Sequence, residues 1–193
     1  MHIVVNHLTR MQPGYICVAG LDEVSGKHIR PALAGARLRT SLLRDRGGPF
    51  DIAALVDLGS VRHIGQAPEI EDYLFEPRHA RRVADLAAAE YWNRLVTASA
   101  PSLRDVFGEE LKMRGAGRGG VDEGKGTVSL GCFIPSQPPS LRVQARLGSG
   151  DQIRMRLNDG QIDVDVPVTD IRLYGADHVT PAEERVREVE VRL

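Results

Sequence analysis

Hydrophobic and polar residues alternate along much of the chain, most regularly in its last third. Leu141, Val143, Ala145 and Leu147 are interleaved with polar residues, as are Ile153, Met155 and Leu157, and then Ile162, Val164 and Val166. A period of two marks strands with one buried face. Residues 148–151 supply a turn. Asp159 and Gly160 predict a two-residue hairpin turn that sets Asn158 opposite Gln161, Leu157 opposite Ile162, Arg156 opposite Asp163, Met155 opposite Val164 and Arg154 opposite Asp165. Apolar residues then face apolar ones and arginines face aspartates. Residues 171–174 and the alternating Val189, Val191 and Leu193 predict further strands. Thr180 and Glu183 have the spacing of a helix-capping box.

The first third is similar. Residues 3–5 and 15–21 read as strands separated by a turn at Pro13 and Gly14, and residues 22–26 form a polar hairpin ending in glycine. Residues 27–30 return, and Pro31 ends that strand or marks an edge. Residues 38–46 predict a short helical turn closed by Gly47 and Gly48. Residues 52–58 and 61–64 predict two more strands.

The middle of the chain changes period. Pro77 suits a first helical position, and Val83, Leu86, Ala87, Tyr91 and Leu95 form an apolar stripe, so a helix is expected over residues 77–97, with Glu90 and Arg94 paired on its surface. A second helix follows Pro101, with Ser102 and Asp105 at capping positions and Leu103, Val106, Phe107 and Leu111 on one face. Glycine-rich residues 114–120 predict a flexible linker or an exposed loop. The expected architecture is mainly β with central helices. Two small OB-like β-barrels, closed or half-open, span residues 1–76 and 121–193, and a helical and glycine-rich segment spans residues 77–120.

The chain has 193 residues, a net charge of −1, 42% hydrophobic and 26% charged residues. That balance supports buried cores and gives no global basicity. The two cysteines, Cys17 and Cys132, each lie in an apolar run and read as reduced, core-filling thiols rather than a disulfide pair. Six scattered histidines show no metal-site spacing, and no nucleophile elbow or Walker loop is present. Gly115, Gly117 and Gly120 fit a dinucleotide-loop spacing, but they follow a predicted helix rather than a strand. No catalytic residue, cofactor or metal is therefore assigned. No apolar stretch is long enough for a membrane span or a secretory signal, so a cytoplasmic protein without a membrane partner is expected.

What remains is binding chemistry. Arg10, Lys27, Arg30 and Arg62 lie near predicted turns and strand ends, with Tyr15 and His63 close by in sequence. Cations beside stacking rings are what a single-stranded nucleic acid needs. Lys112, Arg114 and Arg118, on or beside the glycine-rich loop, could clasp the same polyanion. The plainer alternative makes Tyr15 a core residue and the cations solvated. Arg154 and Arg156 are neutralised by their aspartates in the hairpin register, which leaves Arg142 and Arg146 without an evident partner. A third reading, a hydrolase built from Asp57, His63, Glu69 and Asp72, has residues close in sequence but no metal-site spacing.

Cys17, Val18, Ala19 and Gly20, the polar hairpin, and then Ile29, Arg30 and Pro31 form a pattern that resembles a family of bacterial dual OB-domain proteins. Residues 6–10, 51–58 and 68–72 look like it too, so the likeness covers about the first 75 residues. The resemblance implies two OB-type barrels, nucleic-acid contact through Arg10, Lys27 and Arg30, and a setting in bacterial conflict or defence systems. Family members often carry an aromatic residue where this chain has His28. The leading expectation is a non-enzymatic nucleic-acid-binding accessory protein for a single strand or a structured RNA. Its rival is a protein–protein interaction module or adaptor, which the near-neutral charge favours.

Overall fold

The computed structural model describes residues 1–115, 117–145 and 151–192. The chain is mainly β. Strands β1 (His2–Arg10) and β2 (Tyr15–Asp22) form a long antiparallel hairpin, with Gly14 at φ +85° in its turn. β3 (His28–Ala32) returns beside the end of β2, and β4 (Leu38–Arg39) pairs with its start. Two single-turn 3-10 helices, Thr40–Leu42 and Arg44–Arg46, occupy the expected helical turn and end at Gly47, φ +86°. β5 (Ala54–Asp57) lies on the other side of β1. β6 (Arg62–His63) pairs with β7 (Asp72–Leu74), which runs parallel to β3. Pro31 does not end β3: it lies within the strand opposite Tyr73 of β7, while the pairing with β2 is confined to His28 and Ile29.

Residues 77–97 depart from expectation. They form a 3-10 turn (Pro77–His79), a strand β8 (Arg81–Asp85) paired with β5, and only then the helix α1 (Ala88–Ala98). Every residue of β8 is exposed, so side-chain burial did not choose the strand. The open edge of β5 supplied hydrogen-bond partners that a lone helical turn lacks. The expected Glu90–Arg94 pair does form, at 3.1 Å. The resulting sheet runs β6-β7-β3-β2-β1-β5-β8. It extends past residue 76, and its outer strands, β6 and β8, do not pair with each other, so the ladder stays open rather than closing into a barrel.

β9 (Ser99–Ala100) precedes α2 (Leu103–Phe107), where Ser102 Oγ accepts the Asp105 N–H at 3.2 Å, as the capping pattern predicts. The glycine-rich stretch is not a linker. It carries the hairpin of β10 (Lys112–Arg114) and β11 (Arg118–Gly120), tied to the rest of the chain by the Asp165 N–H on the Gly117 carbonyl at 2.9 Å. Gly117 has φ +70°, and a Cβ there would meet the Asp165 nitrogen at 3.1 Å, so both conformation and space require glycine. β12 (Cys132–Phe133) pairs in parallel with β9.

The C-terminal meander is β13 (Ser140–Gln144), β14 (Gln152–Asn158) and β15 (Asp163–Pro167). Leu147, Arg146 and most of the expected turn at 148–151 lie outside the described residues. The β14–β15 connection is a four-residue loop, not a two-residue turn: Leu157 faces Val164, Asn158 faces Asp163 and Arg156 faces Asp165. The expected ion pairs survive as diagonals, Arg154–Asp165 at 3.0 Å and Arg156–Asp163 at 3.2 Å, and Arg142 also binds Asp165. The loop is longer because Asp159, 7% exposed, turns inward. Its carboxylate accepts the N–H groups of Gln161 (2.9 Å), Ile162 (2.7 Å) and, from α2, Leu103 (2.8 Å).

Residues 171–174 form a 3-10 turn, Ile171–Leu173, rather than a strand. The C-terminal segment is the helix α3 (Glu183–Arg192), not a closing strand. Val186 and Val189, one helical turn apart, pack with Leu141, Ile153 and Tyr174, a burial that the 189–191–193 alternation could not provide. Thr180 does not cap α3, because its hydroxyl donates to Asp177 at 2.6 Å. The two ends of the chain meet: Ile171 joins the core of Ile3, Val18, Phe50 and Val56, and the Arg10 N–H donates to the Thr169 carbonyl at 2.8 Å. Among the described residues, no helix is long and apolar enough to cross a membrane.

Burial pushes the Asp159 carboxyl up, but its three backbone donors outweigh that and hold it below the usual carboxylate range. A depressed folded-state pKa stabilises the fold above about pH 4, and the contribution fades as pH falls through the folded value. Asp159→Asn is expected to cost about 1–2 kcal/mol at pH 7. In urea titrations across pH 2–7 the variant and wild type should converge at the acid end.

Candidate functional site

The β3–β7–β6 edge of the sheet opens into a groove of ≈ 660 Å³. Its walls include Lys27, His28, His63, Tyr73, Val128 and Leu130. Strand pairing explains the assembly. Leu21 faces His28, which brings the hairpin tip beside the start of β3, and His63 faces Tyr73 across β6 and β7. The His63 and Tyr73 rings stack at a tilt with centroids 4.8 Å apart, and His63 Nε2 lies 2.7 Å from the Ile70 carbonyl. His63 is exposed, and Tyr73 is half-buried against the core.

The far wall is held by one buried acid. Glu71, 4% exposed, accepts the N–H of Ser129 (2.8 Å) and of Leu130 (3.1 Å) on Oε1 and the Ser129 hydroxyl (2.8 Å) on Oε2. Its own carbonyl accepts the Arg30 N–H at 2.7 Å. One residue therefore joins β3, β7 and a segment 58 positions further along the chain.

The eight residues singled out as polyanion contacts do not converge. Lys27 and His63 line the groove, and Arg62 projects from β6 in an exposed position. Among the described residues, neither Lys27 nor Arg62 has a carboxylate within ion-pair distance. Arg30 is held by Asp72 at 2.5 Å, with both side chains mostly buried. Arg10 lies 4.1 Å above the Tyr174 ring, its Nε buried without a hydrogen-bond partner. Lys112 and Arg114 share Asp122, at 2.5 and 2.7 Å. Arg118 donates weakly to the Gly115 carbonyl at 3.4 Å. Tyr15 sits at the opposite end of β2 from the groove, facing Arg39. The residues of the hydrolase reading are engaged elsewhere: Asp57 holds Arg81 at 3.1 Å, and Asp72 holds Arg30.

A second cluster adjoins the groove. A β-bulge in β1 between Val5 and His7 breaks the alternation of the strand. Adjacent side chains can then meet, and Asn6 Oδ1 lies 2.9 Å from His7 Nδ1. The Asn6 amide nitrogen lies 3.2 Å from His28 Nε2 and 3.4 Å from Cys132 Sγ, and that sulfur is 3.6 Å from the same His28 nitrogen. Burial, helped by the neighbouring His7, pushes His28 down to about 4. Burial also lowers His7 and raises the Cys132 thiol. At neutral pH the pair is thiol and neutral imidazole, not a thiolate–imidazolium couple, so it lacks an activated nucleophile. Cys17 and Cys132 are both free thiols, as their separation in sequence suggests.

Sequence reasoning missed Tyr73, Glu71, Asn6 and the juxtaposition of His28 with Cys132. The last pair is 104 residues apart and leaves no local signal. Comparison with protein-family models, curated proteins and solved structures finds no match.

Glu71→Gln keeps one acceptor oxygen but sets an N–H₂ against donors. It is expected to destabilise the fold by about 1–3 kcal/mol in urea unfolding. Amide hydrogen exchange should accelerate first at Ser129 and Leu130.

Proposed function

We propose that the protein is a non-enzymatic nucleic-acid-binding accessory protein whose contact surface is the groove along β3, β7 and β6. One observation carries this reading: a tilted ring pair of exposed His63 and half-buried Tyr73 lining one groove with Lys27, with Arg62 next to His63 on β6. Bases of a single strand stack on the rings while the two cations meet phosphates. Stacking of this kind contributes about 1–3 kcal/mol per base without sequence preference. Only two cations are offered, so the salt dependence is shallow, with a slope near about −1 to −1.5 in log K against log[salt]. Arg10 and Arg30, the contacts implied by the dual OB-domain resemblance, take structural roles under this reading. That resemblance supports an OB-type character for the N-terminal sheet and a place in a bacterial defence system.

The rival reading, a protein-interaction adaptor, draws on the net charge of −1 and on the many cations already paired with carboxylates. Fluorescence anisotropy with labelled oligo-dT and oligo-U at low salt separates the two. Wild type is expected to bind, and the surface double variant Lys27→Glu/His63→Ala to lose about tenfold or more in affinity. Arg114→Glu should bind like wild type. Failure of wild type to bind either probe removes the nucleic-acid reading and leaves the adaptor.

A further inference from the structure

Three polar atoms from three distant parts of the chain converge on one point: the Asn6 amide, His28 Nε2 and Cys132 Sγ, with mutual separations of 3.2, 3.4 and 3.6 Å. A tetrahedral zinc ion has bonds of about 2.3 Å to sulfur and about 2.0–2.2 Å to nitrogen or oxygen, which places its ligands about 3.3–3.6 Å apart. The observed triangle has the dimensions of one face of that tetrahedron. We propose that Asn6, His28 and Cys132 form a zinc(II) site with its fourth position open to water, independent of any ligand in the groove.

The donor chemistry agrees. A thiolate and an imidazole select a borderline-soft ion over magnesium or calcium. The imidazole presents Nε2 to the cluster rather than to solvent. Among the described residues, no three His, Cys, Asp or Glu side chains gather as a metal site, so the third ligand is the amide oxygen. The oxygen and nitrogen of an Asn side chain are isosteric. Turning the Asn6 group over aims Oδ1 at the ion and lets Nδ2 donate to His7 Nδ1, 2.9 Å away in the present orientation. His7 thus becomes the outer support of the Asn6 ligand, as metal-binding side chains require. As the Zn–S bond forms, the Cys132 thiol proton passes to water.

The test uses the full chain, first stripped with chelator. Zinc titration by calorimetry should give one equivalent bound, and cobalt(II) should give a thiolate-to-metal charge-transfer absorption. Cys132→Ser should abolish that absorption, and Cys17→Ser should retain it. Asn6→Ala, which removes the amide oxygen, should weaken zinc by about tenfold or more, whereas an amide that does not touch the ion predicts no loss. Should Cys132→Ser fail to fold, the Asn6→Ala comparison decides alone. The proposal is overturned by wild type that takes up no zinc, by a folded Cys132→Ser that binds it equally well, or by Asn6→Ala that binds as tightly as wild type.

Discussion

The buried Glu71 carboxylate is the contact on which the candidate site depends. Three donors from Ser129 and Leu130 converge on it, while its backbone joins β7 to β3. A carboxylate taken out of water is costly unless its lone pairs are met. Here they are met by a segment 58 residues away, so the desolvation cost itself enforces the docking. That docking makes the groove wall from Val128 and Leu130, and it leads directly into β12, where Cys132 comes to face His28. The groove and the Asn6–His28–Cys132 cluster are two consequences of one buried acid.

Charge in this molecule is spent mostly on holding segments together. Asp122 anchors the β10–β11 hairpin through Lys112 and Arg114, Asp165 gathers Arg142 and Arg154, and Asp72 fixes Arg30. The exposed pairs at Asp122 contribute little stability each, but every paired cation is withdrawn from long-range attraction. At the groove, among the described residues, the cations left without a carboxylate partner are Lys27 and, on β6, Arg62. Under the proposed reading, a near-neutral protein would hold a nucleic acid through contact more than through long-range steering.

In three places where local pattern and tertiary structure disagree, the reason is a partner distant in the chain. Residues 80–86 carry apolar spacing that suits a helix, yet the unpaired edge of β5 drew residues 81–85 into the sheet. Val189 and Val191 alternate like strand residues, but the apolar face of the meander offered Val186 and Val189 burial on a helix. Asp159 and Gly160 read as a tight turn until the Leu103 N–H, at the start of α2, captured the Asp159 side chain and lengthened the loop. The Arg–Asp pairing of that hairpin nonetheless held, because diagonal neighbours on one sheet face stay within reach of long side chains.

Local residue patterns were enough to set the β-rich class, the β1–β2 hairpin, the Ser102 cap and the alternation of the C-terminal meander. All of these depend on residues within a turn or a strand length of each other. Tertiary structure alone decided which cations stay unpaired, that the sheet remains open, and that Asn6, His28 and Cys132 meet. Those outcomes depend on contacts across 22 to 126 residues, and side-chain type at one position carries no record of what will stand opposite it.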